Sequence, residues 1–271
     1  MDILKTIIAD KRQELKLQKQ RVPMASLEDS FLFNRKTFSL RDRLADSSAT
    51  GIIAEFKRKS PSRGLINEKA DPVKISKGYV QAGAIGLSVL TDTRYFAGNR
   101  EDLVRVRETN QCPILRKDFM IDEYQVLEAR AWGADVILLI AAVLEKDKVR
   151  DLSAMAHSLG LEVLLEIHQE SELDFLDENI DLVGVNNRDL KRMVADVNTS
   201  IALSEKIPAD FLKISESGIS DPGTILKLKE YEYRGFLIGE YFMQHDDPVK
   251  ACRELIEGLQ NVENNHGINW I

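Results

Sequence analysis

A chain of 271 residues that is 44% hydrophobic carries enough apolar mass for one large α/β domain or two small ones. Its net charge of −7 speaks against a nucleic-acid partner, which calls for a basic face to displace counterions, yet leaves room for a small anion held by local cations. The longest apolar run, Val136 to Leu144, is too short to span a bilayer, and Met1 to Gln20 is charged throughout without the apolar centre of a secretory signal. No membrane association is therefore expected, and the cytoplasm is the default location.

In chain order, Ile3, Leu4, Ile7, Ile8 and Leu15 recur at helical spacing among Lys, Asp, Glu and Arg, which predicts an amphipathic N-terminal helix. Polar, irregular sequence follows to Ser48. Residues 1–48 are thus expected to form a helical extension that packs on the main body and caps one end of it, with Phe31, Phe33 and Phe38 joining the contact.

From Ile52 onward short apolar strands alternate with helical stretches, the pattern of parallel βα units. The expected strands are Ile52 to Lys57, Ile85 to Thr91, Pro113 to Lys117, Val136 to Ile140, Glu162 to Ile167, Leu182 to Asn186, Phe211 to Ser215 and Gly235 to Gly239. Helices are expected over Asp71 to Gln81, Glu101 to Thr109, Asp122 to Trp132, Glu145 to Leu159, Glu170 to Leu176, Val197 to Lys206, Asp221 to Lys229 and Pro248 to Leu259. Strand starts lie roughly 20 to 35 residues apart, room for a strand, a helix and two loops each time. Eight units predict a closed (β/α)8 TIM barrel, an α/β fold, with 1–271 as a single domain that includes the extension. A doubly wound open sheet is the competitor; the G-x-G-x-x-G and Walker patterns that would favour it do not occur.

A barrel collects its chemistry at the C-terminal ends of its strands. Polar residues stand there: Glu55 and Lys57 on the first strand, Arg116, Lys117 and Asp118 on the third, Glu166 and His168 on the fifth. Asn186, Asn187 and Arg188 end the sixth, Ser215, Glu216, Ser217 and Gly218 the seventh, and Gly239 and Glu240 the eighth. Glu55 and Lys57, two apart, share one face of a strand. The basic loop after them, Lys57 to Gly64, suits an anion. A carboxylate near Lys117 favours its ammonium while desolvation opposes it, a balance that could leave Lys117 a proton donor near neutral pH with Glu166 as the base. Ser217, Gly218, Gly239 and Glu240 follow the last two strands, where barrels often hold phosphate on backbone N–H groups. Cys112 and Cys252 lie far apart and the four histidines lack ligand spacing, so neither a disulfide nor a metal site is expected.

The stretches EFKRKSPSRG, ILRKDF, LLEIH, VNNRDL, ISESGI and FLIGEYFM, in this order and spacing behind a helical extension, resemble the strand-end motifs of indole-3-glycerol phosphate synthases from end to end. The resemblance implies a monofunctional, cofactor-independent carboxy-lyase of tryptophan biosynthesis acting on a phosphorylated small molecule, 1-(2-carboxyphenylamino)-1-deoxyribulose 5-phosphate. It assigns the general acid to Lys117, the base to Glu166, the second lysine to Lys57 and its acidic neighbour to Glu55. Asn186 and Arg188 fall on substrate-orienting positions, Ser60 on a closing loop, and Phe96 and Phe119 on the walls of the anthranilate site. Glu216, Ser217, Gly218, Gly239 and Glu240 fall on the strand-seven and strand-eight positions near phosphate. Glu240 stands where some members have Ser, so only its backbone is expected to contribute; Tyr241 and Phe242 are bulkier than the usual pair. A monomer is the working expectation for assembly. A sugar-phosphate isomerase or Schiff-base aldolase barrel with Lys117 as nucleophile, and a catalytically silent binding barrel, remain the alternatives on the residues alone.

Overall fold

The structure, a computed structural model, describes residues 3–189, 192 and 194–266. Eight parallel strands close a barrel in sequence order: Ile52–Phe56, Gly86–Leu90, Ile114–Lys117, Val136–Ile140, Glu162–Ile167, Leu182–Asn186, Leu212–Glu216 and Tyr233–Ile238. The first strand pairs with the second through Ile53 and Gly86 and with the eighth through Ile52 and Phe236, so the barrel sheet itself has no free edge. The α/β barrel and its N-terminal helix match the expected fold.

Strand alternation explains two separate cores. One set of side chains points inward: Ile53, Leu115, Val136, Leu138, Ile140, Leu164, Leu182, Ile214 and Leu237 fill the barrel. Their neighbours Ile52, Ala54, Ile114, Ile137, Leu165, Val183 and Phe236 point outward and pack beneath the helices. Both faces are apolar, which is why these strands read as continuous hydrophobic runs. The same parity decides the rim. Glu55, Lys117, Glu166, Asn186 and Glu216 share the inward parity, whereas Arg116 and Ser215 face the helix layer.

Helix ends follow local chemistry. Asp71, Asn99, Asp122 and Asp221 cap helices Pro72–Ala82, Arg100–Thr109, Glu123–Trp132 and Pro222–Glu230 through their side chains. Gly133 ends the third of these in the left-handed region, φ 90°. Glu170–Phe175 forms a 3₁₀ turn where a helix was expected, and the eighth strand begins two residues earlier than Gly235, at a bulge between Tyr233 and Gly235.

The extension serves both ends of the barrel, not one. Helix Ile3–Arg21 lies at the C-terminal mouth, where Ile3, Leu4 and Ile7 line the cavity described below. Two further short helices, Met24–Glu28 and Leu40–Ala45, occupy the stretch read as irregular. Leu40 and Leu44 plug the opposite end of the barrel, packing into the inner core. That plug is anchored by Glu162, at the start of the fifth strand, which accepts from Leu40 N at 2.8 Å, Arg41 N at 3.1 Å and the Ser39 hydroxyl. Phe33 packs on the outer core and Phe38 lies under the Arg107 guanidinium at 4.9 Å, but Phe31 is 73% exposed and contributes no packing of the kind expected.

Candidate active site

A cavity of about 650 Å³ opens at the C-terminal ends of the strands. Glu55, Lys57, Ser60, Phe96, Lys117, Phe119, Glu166, Asn186, Arg188, Glu216, Ser217, Gly218, Gly239 and Glu240 all line it, whereas the strand-end residues Arg116, His168, Asn187 and Ser215 do not. Ile140, Leu138 and Leu237 from the inner core form its floor, an apolar element that the strand-end reading passed over.

Lys117 is the centre of the charge arrangement. Its Nζ lies 2.6 Å from Glu166 Oε2 and 2.8 Å from Glu216 Oε2. Glu166 Oε1 accepts from Asn186 Nδ2 at 3.1 Å. Glu55 closes the set, bonded to Lys57 Nζ at 2.8 Å and to Ser88 Oγ at 3.1 Å. Burial alone would lower the lysine, but Glu166, Glu216 and Glu55 overcome it and hold Lys117 above the ordinary lysine range. The balance between desolvation and nearby carboxylates thus falls on the side of the protonated ammonium, not one poised at neutrality. For Glu166 burial pushes upward, yet Lys117 and His168 win and hold its carboxyl low. Burial pushes Glu216 up to about 7, with Lys117 opposing and Glu166 adding to the rise.

Glu216 departs from the phosphate-end position that the resemblance implied for it. Its side chain turns into the barrel beside Lys117, and its Oε1 is buried without a hydrogen-bond partner. Room for it exists because the facing residue is Gly184; a Cβ there would stand 2.3 Å from that oxygen. His168 lies half-buried beside Glu166, its Nε2 at 3.4 Å from Glu166 Oε1 and its Nδ1 at 3.6 Å from Glu172 Oε2. Burial works against its cation, but Glu172 and Glu166 raise it above the ordinary histidine range.

The apolar wall is made by Phe96 and Phe119, whose ring centroids are 6.1 Å apart. Phe96 ends a short helix, Thr93–Phe96, capped by Asp92. Across the mouth, Ser217 and Gly218 take successive left-handed conformations, φ 69° and 76°, and Asn187 Nδ2 fixes the turn by donating to Ser217 O at 3.0 Å. Such paired left-handed or turn residues aim consecutive backbone N–H groups into one concavity. Asn187 therefore supports the site from outside it, in a buried net with Ser200 and Ser215.

The basic loop divides its labour. Lys59–Ser60 and Gly64–Leu65 form a small antiparallel hairpin that sequence reading did not foresee. Lys57 and Arg63 line the cavity, whereas Arg58 pairs with Asp102 at 2.9 Å and pins the hairpin base, and Lys59 donates to Arg94 O at 3.0 Å. Glu240 was expected to offer only backbone; its side chain instead receives Arg63 Nε at 2.9 Å and Arg188 at 3.1 Å.

One buried group escaped the sequence reading. Lys11, on the N-terminal helix, is 1% exposed at its side chain and bonds Asp92 at 2.9 Å and Asp118 at 3.1 Å. A lysine in the apolar stripe of Leu4, Ile8 and Leu15 was the available signal. Asp118 also accepts from Thr91 at 2.6 Å and Arg116 at 3.1 Å, so Arg116 supports the loop next to Lys117 and never reaches the cavity. Burial would raise Asp118, but Lys11 and Arg116 lower it to about 2. A depressed carboxylate stabilises the fold above its unfolded pKa and loses that contribution as pH falls through the folded value. Asp118→Asn is expected to cost about 2 kcal/mol at pH 7, with the difference from the parent shrinking toward pH 2; urea titrations at pH 7 and pH 3 measure it.

The family model described as indole-3-glycerol phosphate synthase matches residues 4–255. An indole-3-glycerol phosphate synthase of Bacteroides thetaiotaomicron is 46% identical over 259 residues, spanning 96% of this chain and 99% of that protein. One from Laribacter hongkongensis is 42% identical over 262 residues, 94% of this chain and 98% of that protein. Among solved structures, tryptophan synthase subunit alpha from Legionella pneumophila superposes with TM-score 0.61 at 14% identity over 83% of this chain and 97% of that one. The 3-hexulose-6-phosphate synthase from Salmonella typhimurium gives 0.62 at 12% over 78% and 99%. At such identities these likenesses speak for the barrel alone. Match length, identity and an unbroken set of strand-end residues in one cavity lead to one assignment: the chain belongs to the indole-3-glycerol phosphate synthase family.

Proposed function

We propose that this chain converts 1-(2-carboxyphenylamino)-1-deoxyribulose 5-phosphate to indole-3-glycerol phosphate, releasing carbon dioxide and water, with Lys117 as acid and Glu166 as base. The observation that carries the assignment of roles is the Lys117 ammonium bridging Glu166 and Glu216 beside an aromatic wall, inside a cavity whose other side is a pair of left-handed backbone residues. Phe96 and Phe119 flank the anthranilate ring, and Lys57, steadied by Glu55, meets its carboxylate. Asn186 orients Glu166; Ser60 and Arg188 clamp the substrate; Ser217, Gly218, Gly239 and the Glu240 backbone seat the phosphate.

The chemistry follows from charge. As the ring carbon bearing the carboxylate attacks the ketone, the carbonyl oxygen becomes an alkoxide, a far stronger base than any lysine amine, so even a raised Lys117 surrenders its proton readily. Loss of carbon dioxide returns the electron pair to the ring. Glu166, kept ionised by Lys117, then accepts the proton that dehydration releases, while a lysine protonates the departing hydroxyl. A Schiff-base role for Lys117 requires a neutral amine, which three nearby carboxylates oppose.

In this reading residues 1–271 work as one folding unit, because extension leucines complete the barrel core and extension residues line its mouth. Among the described residues the exposed large hydrophobics, Leu17, Met24, Phe31, Leu65 and Val194, are spread along the chain, which fits the expected monomer, and no described helix is long and apolar enough to cross a membrane. With carboxyl-labelled substrate, one labelled carbon dioxide is expected per indole formed, and borohydride is expected to leave Lys117 unmodified. A reduced adduct on Lys117, or turnover that retains the label, contradicts the proposal.

A further inference from the structure

Three elements meet at one carboxylate on the rim. Arg63 comes from the hairpin turn after the first strand, Arg188 from the loop after the sixth, and Glu240 opens the short helix after the eighth. Each oxygen of Glu240 takes one guanidinium: Oε1 receives Arg63 Nε at 2.9 Å and Oε2 receives Arg188 at 3.1 Å. All three residues line the same cavity as Ser217 and Gly218. One oxyanion shared by two guanidinium groups is the arrangement that a phosphate or carboxylate ligand would itself seek.

We propose that Glu240 is a substrate-displaced latch: its carboxylate holds Arg63 and Arg188 until the substrate's own oxyanion takes over the same two guanidiniums. The inference rests on the proposed function above and adds to it a residue that sets affinity for the anion. Two observations make the exchange physically reasonable. Arg63 is 62% exposed, so its pair with Glu240 is screened by solvent and readily reversible, whereas the Arg188 pair, 20% and 22% exposed, is more sheltered and is released only when an incoming anion replaces the carboxylate. A bound phosphate next to the Glu240 carboxylate would meet like charge at short range, which is relieved when the side chain swings off the rim and the donors it held turn to the ligand. The turn bearing Ser60 and Arg63 then changes partners without losing its anchor, passing from protein carboxylate to substrate.

The test compares the full chain, Glu240→Gln and Arg63→Gln. Inorganic phosphate is titrated calorimetrically at low ionic strength, and limited trypsin digestion follows the turn at 59–65. Glu240→Gln is expected to bind phosphate about three- to tenfold more tightly and to lower KM for the anthranilate-linked substrate in parallel. Its turn is expected to be cut faster without phosphate and protected again on adding it, whereas Arg63→Gln weakens phosphate binding. Phosphate affinity that is unchanged or reduced in Glu240→Gln overturns the latch, the first making Glu240 a passive surface pair and the second a scaffold for the arginines. Because phosphate binding is read without turnover, failure of the latch is distinguishable from failure of the parent chain to convert the substrate.

Discussion

Lys117→Ala is expected to lower kcat by about three to four orders of magnitude while substrate binding stays measurable. The loss is double. The proposed proton donor disappears, and with it the cation 2.6 Å from Glu166 and 2.8 Å from Glu216 that keeps the proposed base ionised. Without it, burial pushes both carboxyls upward, so the proposed base is spoiled along with the acid. This has a stability signature of definite sign. Carboxyls whose folded pKa exceeds the unfolded value bind more protons when native, so stability falls as pH rises between the two values. The variant is expected to be destabilised more at pH 8 than at pH 5, by thermal unfolding at each. Lys117→Met, which keeps the stem of the side chain, separates lost volume from lost charge. Substantial turnover by either variant would remove Lys117 from its role.

Glu166→Gln carries the second large effect, a kcat reduced by about 10²- to 10⁴-fold with KM changed little. The two oxygens of Glu166 both accept, one from Lys117 and one from Asn186. An amide can satisfy only one of these donors and must turn its NH2 toward the other, so orientation suffers as well as basicity. Since Lys117 and His168 hold the parental carboxyl low, the base stays ionised through the neutral range, and the parent is expected to show no acid loss of kcat assignable to Glu166 near neutrality. Steady-state kinetics of both proteins across pH test this. A variant that loses KM but keeps kcat would make Glu166 a binding group.

Much of this arrangement is legible in the chain because parallel barrel strands are buried on both faces. Val136 to Ile140 and Leu182 to Asn186 stand out as apolar runs bounded by polar residues, and the observed limits coincide with the expected ones. The convergence of the strand ends then follows from closure. What composition does not display is parity: Arg116 and Lys117 are adjacent cations, yet one turns outward to Glu128 and Trp132 and the other inward to the cavity. Counting alternation from Leu115, which is core, separates them. Parity also turns the Glu216 side chain into the barrel beside Lys117. The hairpin at 59–65 had no signal, since two-residue strands carry no period. Lys11 was obscured for a different reason: a charge inside an apolar stripe is explained only by Asp92 and Asp118, which belong to other elements.

The most direct measurement is indole fluorescence during incubation of the purified chain with 1-(2-carboxyphenylamino)-1-deoxyribulose 5-phosphate, in buffer without added metal or nucleotide. Lys117, Glu166 and Lys57 lining one cavity predict that indole emission grows with time and that Lys117→Ala, though it still binds the substrate, gives none above background. Substrate that binds and stays unchanged with the parent chain, or emission that grows equally fast with the variant, would contradict the assignment of acid and base.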